Sequence, residues 1–387
     1  MLRLMQMDNR FLALASDIIQ RSNRLQPADA VLRSELKKRT GLRPGEATRI
    51  SRAVFAYFRW LGWLDQKVSF HDQILKAVEL AERFTALERG KPPLEFSGAE
   101  MVRRAIPNWL LREMEITPAL ARWLQTEPKL WLRARPGRGS ALAAKLGDCF
   151  PFGPGVLSDI LEYRGNTDLF RTPEFHAGAF ELQDISSQAV SLICAPSAGE
   201  TWWDACAGEG GKTLHLCDLM GNKGLVWASD RAEWRLQRLK RRAARSRNFN
   251  YRARLWDGSG KLPTKTKFDG VLLDAPCSGI GTWQRNPHAR WTTTLQDIHE
   301  LGALQTKLLT HAAVAVKPGG KLIYAVCTLT RNETIQVAET FQSQFSAFIP
   351  LPLTNPLAPD SEPAPHLILR PELHGGNGMF IAAWKRE

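Results

Sequence analysis

The chain has 387 residues, 44% of them hydrophobic and 24% charged, with 52 Lys and Arg against 39 Asp and Glu and a formal net charge of +13. That length suits two or three domains with cores of their own, and no apolar run reaches the roughly 18 to 20 residues of a membrane span. Six cysteines without a CxxC pair or a histidine cluster form neither a disulfide framework nor a metal site. The amino-terminal "MLRLMQMDNRFLALASDIIQRS" has helical spacing but no secretory cleavage signal, so a cytoplasmic, non-membrane, monomeric protein is expected. The positive balance fits a nucleic-acid partner, or equally a generically basic surface.

Residues 1–125 carry apolar residues at helical spacing, as in "FLALASDIIQRS" and "ISRAVFAYFRWLGWLDQKV", and predict an all-helical domain. Its cations Arg21, Arg24, Arg33, Lys37, Lys38, Arg39 and Arg43 suit either phosphate contacts or solvated helix faces. Residues 126–185 are mixed and predict a small α+β connecting subdomain. From 186 to 387 strand-like and helical runs alternate, predicting a Rossmann-like α/β domain with a mainly parallel sheet. In the helix expected over 295–316, Leu301, Leu304, Leu308, Ala312 and Ala315 fall on one side.

Ligands of such sheets bind outside the carboxyl ends of the strands, and four expected strand ends carry Asp204, Asp230, Asp257 and Asp274. The loop Cys206-Ala207-Gly208-Glu209-Gly210-Gly211-Lys212 ends like a phosphate-binding loop, but Cys206 stands where a Walker sequence requires glycine. A glycine-rich turn opening a helix instead suits the carboxylate of an amino-acid-like ligand. S-adenosyl-L-methionine fits, with Asp230 for the ribose hydroxyls and Asp257 for the adenine amine. Each acid taken singly also reads as a cap or turn residue.

"DAPCSGIGT" and "YAVCT" place Cys277 and Cys327 at neighbouring strand ends, beside Asp274. A buried cysteine is commonly a small apolar residue, which suffices for Cys149, Cys194 and Cys217. Two thiols beside an acid suit methyl transfer to cytosine C5, a poor nucleophile until a thiolate adds at C6. Lys212 and Arg285 are candidates for the charge that activates the thiol. The stretch from Arg231 to Arg254, with ten basic residues and one acid, fits an RNA backbone or a solvated face; Arg285, His288 and Trp291 are expected on the substrate side, with Trp291 alternatively in a core.

At "QDISSQ", "DACAGEGGK", "DAPCSGIGT", "YAVCT" and "GMFIAAW" the chain resembles the RNA 5-methylcytosine methyltransferases that include bacterial ribosomal RNA methyltransferase B and the Nop2/Sun proteins. The helical part resembles their NusB-type domain, and "WLRARPGR" their WLRVN segment. The resemblance implies a class I methyltransferase using S-adenosyl-L-methionine on ribosomal RNA, or alternatively transfer RNA. It makes Cys327 the nucleophile, Asp274 the partner of the base edge and Cys277 the residue that assists release. Cofactor contacts are implied for residues 206–212 and for Asp230, Asp257 and Asp274. Gly208 and Glu209 depart from the family's Ala-Pro, with Glu209 expected to face solvent, and Val326 replaces a threonine. Two rivals remain: methylation of a purine amine or a protein with passenger cysteines, and a non-catalytic RNA-binding assembly factor.

Overall fold

A computed structural model describes residues 9–39, 41–85 and 95–387. The chain divides into two compact units, residues 1–128 with 282–297, and 129–281 with 298–387.

The first unit is helical. Helices Asn9–Arg21, Ala28–Lys38, Pro44–Trp60 and Phe70–Thr85 bury apolar stripes, centred on Ile18, Ile50, Val54, Trp60 and Ile74, in one core. Ser97 and Thr117 cap the shorter helices Gly98–Ala105 and Pro118–Trp123 by accepting from the backbone N–H three residues on. The segment 282–297, expected to fold with the rest of 186–387, belongs to this unit instead. Its Arg290 is fully buried and donates to the carbonyls of Ala105 and Leu124, each at 2.9 Å, at the ends of those two helices. Burial, with Arg59 adding to it, pushes the Arg290 guanidinium down to about 9.

In the second unit β1 (Leu130–Ala134), β2 (Cys149–Pro151), β3 (Ile160–Tyr163) and β4 (Phe180–Leu182) form an antiparallel sheet in the order β2-β3-β1-β4. The remaining strands are β5 (Thr201–Asp204), β6 (Leu225–Asp230), β7 (Tyr251–Leu255), β8 (Phe268–Asp274), β9 (Val316–Val326), β10 (Phe348–Pro350), β11 (His366–Leu369) and β12 (Met379–Arg386). They make one sheet in the order β10-β12-β9-β8-β5-β6-β7, with β11 paired to β12. Strands β5 to β9 are parallel, whereas β12 runs antiparallel to β9, β10 and β11. The order grows outward from β5 in both directions, so the crevice lies beyond the carboxyl ends of β5 and β8. Two apolar cores cover the faces of this sheet, one holding Trp203, Phe268, Leu273, Leu309 and Tyr324, the other Ile185, Trp202, Leu216, Leu272 and Ile323.

Helix Leu295–Ala313 buries Ile298, Gly302, Gln305, Leu308, Leu309, Ala312 and Ala313, while Leu304 is 37% exposed. The buried face is therefore rotated from the one expected from the leucines. A polar residue, Gln305, takes its centre because partners wait for it beneath.

Candidate functional site

Backbone register brings the site together. In the sheet Asp204 lies opposite Leu272 of β8 and Ala228 of β6, and Asp274 lies opposite Ala325 of β9. Two strands therefore end side by side immediately before Cys277 and Cys327.

After β5 the chain turns through residues 205–210 into helix Gly211–Leu219. Gly208 and Gly210 have φ of +55° and +87°, a left-handed backbone that a side chain disfavours. A Cβ at Gly210 would in addition strike Leu239, whereas Gly208 faces open space. Asp230 holds the turn from the neighbouring strand: its carboxylate accepts from Gly208 N at 3.0 Å and Ala232 N at 2.8 Å. Asp204 is buried and accepts from Thr213 Oγ1 at 2.6 Å, leaving its Oδ1 without a partner. Burial pushes the Asp204 carboxyl up to about 7, against the lowering effect of Thr213.

Glu209 does not simply face solvent. It pairs with Arg238 at 2.5 Å, and its carbonyl accepts from Arg242 at 2.9 Å, because both arginines lie on the basic helix Glu233–Ser246 that passes the turn. Asp257 is exposed and caps its own turn, accepting from Ser259 N at 2.9 Å; hydrogen bonding from the Ser259 side chain, and then from its backbone, lowers the Asp257 pKa. The donor set fits S-adenosyl-L-methionine. A helix N-terminus stands beside open space at Gly208, Asp204 offers an unpartnered buried oxygen, and the oxygens of Asp230 keep lone pairs beyond their backbone bonds.

Cys277 Sγ and Cys327 Sγ lie 3.3 Å apart, both half-buried and neither in a disulfide. The hydrogen bond to Cys327, reinforced by burial, raises the Cys277 pKa well above that of an ordinary thiol. Lys212 Nζ sits 2.6 Å from Asp274 Oδ2. Burial opposes the Lys212 charge, but Asp274 overrides it and Cys327 adds to the effect, so this lysine stays a cation beside the thiols.

Sequence reasoning missed Glu333, a fully buried carboxylate behind the two thiols. It accepts from Ser278 N at 2.8 Å, Ser278 Oγ at 2.5 Å, Thr328 Oγ1 at 3.1 Å, Thr330 Oγ1 at 2.9 Å and Gln305 Nε2 at 3.0 Å. Gln305 also donates to Pro276 O at 2.9 Å, and Tyr324 donates to Glu333 O at 2.6 Å. The residue after each cysteine is thus tied to one acceptor. The available signal was "CTLTRNE", where hydroxyl donors precede an acid.

Arg285, His288 and Trp291 all fall in the helical unit. His288 packs edge-on against Phe58, and Trp291 donates to Phe58 O at 2.6 Å, so both serve the helical core; Arg285 belongs to the same segment and is exposed. In the helical unit Glu35 collects Arg21, Lys38 and Arg39, and Arg24 pairs with Asp297. On the basic helix Arg242 and Arg245 pair with Glu181, and Arg235 stands 3.6 Å from Asp230. Arg231, Lys240, Arg241, Arg247 and Arg254 are exposed, as is Trp234 at 54%, which is flanked by Arg235 and Arg238.

Residues 191–385, half of the chain, match the family described as 16S rRNA methyltransferase RsmB/F. A probable ribosomal RNA small subunit methyltransferase B from Synechocystis is 34% identical over 320 residues, 78% of this chain and 71% of that protein. Relatives of the same name from other bacteria are matched over about two thirds of their length. The solved structure of PH0851 shares the fold over 97% of this chain and 98% of its own at 22% identity, with a TM-score of 0.79. A methyltransferase homolog protein from Pyrococcus horikoshii is 28% identical, with a TM-score of 0.58 over 70% of this chain and 90% of its own. With its Rossmann-like sheet, its glycine-rich turn and this extent of similarity, the chain belongs to the 16S rRNA methyltransferase RsmB/F family.

Proposed function

We propose that this protein is an S-adenosyl-L-methionine-dependent RNA cytosine-C5 methyltransferase that acts on ribosomal RNA, in the cytoplasm and as a monomer. The observation that carries the reading is the pair of thiols 3.3 Å apart beside the Lys212–Asp274 pair. Ribosomal RNA is proposed because the relatives bear that substrate in their names. The exposed cations and Trp234 of helix Glu233–Ser246 support an RNA partner, offering phosphate contacts and a stacking face.

When bound, S-adenosyl-L-methionine supplies an electrophilic methyl group. Gly208, Gly210 and the N-terminus of helix Gly211–Leu219 would hold its amino-acid end, Asp230 its ribose and Asp257 its adenine. Cys327 adds as a thiolate to C6 of an unstacked cytosine, and the electrons displaced toward N3 make C5 nucleophilic. Asp274 holds a proton at N3, and Lys212 keeps the edge positive. Once C5 carries the new methyl group, its hydrogen must leave as a proton before the bond from Cys327 to C6 can break.

Cys277 suits that step because its proton affinity depends on Cys327. While Cys327 is an anion, the hydrogen bond between them holds the proton on Cys277. Once Cys327 is a thioether that cause is gone and only burial and Glu333 still oppose ionisation, so Cys277 gives up its proton more readily and acts as a base. As Cys327 regains negative charge on leaving, it favours the proton that Cys277 has taken from C5. Proton capture and thiolate departure therefore assist each other.

The test is incubation of the purified protein with S-adenosyl-L-methionine and ribosomal RNA from cells lacking the gene, followed by nucleoside mass spectrometry and bisulfite sequencing. One protected cytidine carrying 5-methylcytosine is expected; methyl groups on a purine or on protein would overturn the reading.

A further inference from the structure

The basic helix Glu233–Ser246 turns one face toward the glycine-rich turn. Arg238, Leu239, Arg242 and Arg245 follow one another at helical spacings of three and four, so they share that face. Leu239 packs so close to Gly210 that a Cβ there would stand 2.5 Å from its Cγ. Arg238 meets the Glu209 carboxylate, and Arg242 Nη1 donates to the Glu209 carbonyl at 2.9 Å. The peptide between Glu209 and Gly210 is thereby held at both ends, because its N–H donates to Ala207 O at 2.9 Å.

A buried carboxylate of the small antiparallel sheet fixes Arg242 in turn. Glu181 of β4 is 4% exposed; its Oε2 accepts from Arg242 Nε at 3.1 Å and Nη2 at 2.9 Å, and its Oε1 accepts from Arg245 Nη2 at 2.5 Å. Every nitrogen of the Arg242 guanidinium is then committed, two to Glu181 and one to the turn. A planar fork clamped in this way aims its last N–H in a set direction, which a lysine cannot do. Arg245 differs in one respect: its Nη1 donates to Phe175 O at 2.9 Å and not to the turn.

The clamped peptide immediately precedes the helix N-terminus that suits a ligand carboxylate. Gly210 has φ of +87°, and glycine takes either sign of φ at little cost, so no side chain of its own stops that peptide from flipping. A flip would break the bonds to Ala207 O and Arg242 and re-aim the turn that opens helix Gly211–Leu219. A ligand that fits only the unflipped turn binds more weakly in proportion to the time the turn spends flipped.

We infer that Arg242, locked by Glu181, is a positioning residue for S-adenosyl-L-methionine: it fixes the Glu209–Gly210 peptide and so keeps the cofactor turn in its binding conformation. The inference rests on the reading of that turn as the cofactor site. It divides the run from Arg231 to Arg254 between two tasks, with the inward arginines serving the turn and the exposed cations left for RNA.

The full chain and its variants are titrated with S-adenosyl-L-methionine by calorimetry. Arg242→Lys keeps the charge but cannot reach Glu181 and the Glu209 carbonyl together; its affinity should fall about tenfold, as it does when the competent turn is populated about a tenth of the time. Arg245→Lys loosens the same carboxylate on the same helix yet gives up no bond to the turn, so its affinity should stay within about twofold of wild type. Glu181→Gln should weaken binding in the wild-type background and add little once Arg242 is lysine, the non-additivity of residues acting in series. In turnover Arg242→Lys should raise KM for S-adenosyl-L-methionine with kcat and KM for RNA nearly unchanged. Undiminished binding by Arg242→Lys, equal weakening by Arg245→Lys, or effects of Arg242→Lys and Glu181→Gln that simply multiply would overturn the inference. So would a raised KM for RNA with unchanged cofactor affinity, which would place Arg242 among the RNA contacts. Should Glu181→Gln not fold, the two lysine variants decide by themselves. A wild-type protein that binds no S-adenosyl-L-methionine would instead defeat the reading of the turn as the cofactor site.

Discussion

Cys277 Sγ lies 3.3 Å from Cys327 Sγ, although fifty positions separate them in the chain. Parallel pairing of β8 with β9 sets the distance, since Asp274 is opposite Ala325 and each strand delivers its cysteine two or three residues later. Two thiols this close need little movement to reach bonding distance. A mild oxidant such as diamide should therefore join them and abolish methyl transfer, with dithiothreitol restoring activity. Mass spectrometry of the intact protein and its peptides checks this; an inactivated protein with both thiols still free would contradict it.

Glu333 should position both cysteines. A carboxylate accepts only, and five donors converge on this one. In Glu333→Gln an amide N–H faces some of those donors. Breaking such a buried network costs about 3 kcal/mol or more, or roughly 6–12 °C in Tm. Thermal denaturation measures the loss. In the folded fraction kcat should fall with KM for RNA nearly unchanged, and diamide should cross-link the cysteines more slowly. A variant with normal turnover and normal cross-linking would remove Glu333 from the site.

Asp204 gives a pH dependence of defined sign. Its carboxyl is raised to about 7 in the folded chain from an ordinary 3.8, so the folded state binds the proton more tightly than the unfolded state. Stability from this group is complete below about pH 4 and is lost as pH rises toward 7. Asp204→Asn cannot ionise, so its Tm should decline less than that of the wild type between pH 5 and 8. Parallel melting curves for the two proteins would exclude the effect.

The Glu209–Arg238 pair should act on the cofactor turn more than on stability, since it is largely solvent-exposed and worth under about 1 kcal/mol. Arg238→Ala leaves the Glu209 charge unmatched near the expected cofactor carboxylate. Calorimetry should show S-adenosyl-L-methionine binding weakened about two- to fivefold, with the effect fading in high salt. Glu209→Pro in the Arg238→Ala background should restore affinity. An Arg238→Ala protein that binds as tightly as wild type at low salt would show that Glu209 does not feel the ligand.

Much of the fold was legible because it rests on local periodicity. Strand runs that end in Asp204, Asp230 and Asp274 mark a parallel sheet, and the spacing of "DAPC" and "YAVC" puts two thiols at adjacent strand ends. What stayed hidden depends on tertiary contacts. Glu333 and Gln305 stand in helical runs of the sequence, and only the loops after β8 and β9 bring their partners to them. His288 and Trp291 follow Cys277 closely in sequence, yet the chain leaves the second unit at Gly281 and returns to it only at Ile298. The basic run from Arg231 to Arg254 reads as one positive stripe, but intramolecular acids meet several of its arginines. Glu209 looked solvent-bound because nothing local in "CAGEGG" announces an arginine twenty-nine positions on.

The central claim is the division of labour between the thiols, with Cys327 bonding to the base and Cys277 freeing it. It is tested most directly by mixing Cys277→Ala, Cys327→Ala and the double variant with substrate RNA and S-adenosyl-L-methionine, then resolving them on denaturing gels. The account predicts a persistent protein–RNA adduct with Cys277→Ala and none with either protein that lacks Cys327. An adduct that accumulates with Cys327→Ala would reverse the two roles, and methylation at the wild-type rate by the double variant would end the covalent mechanism.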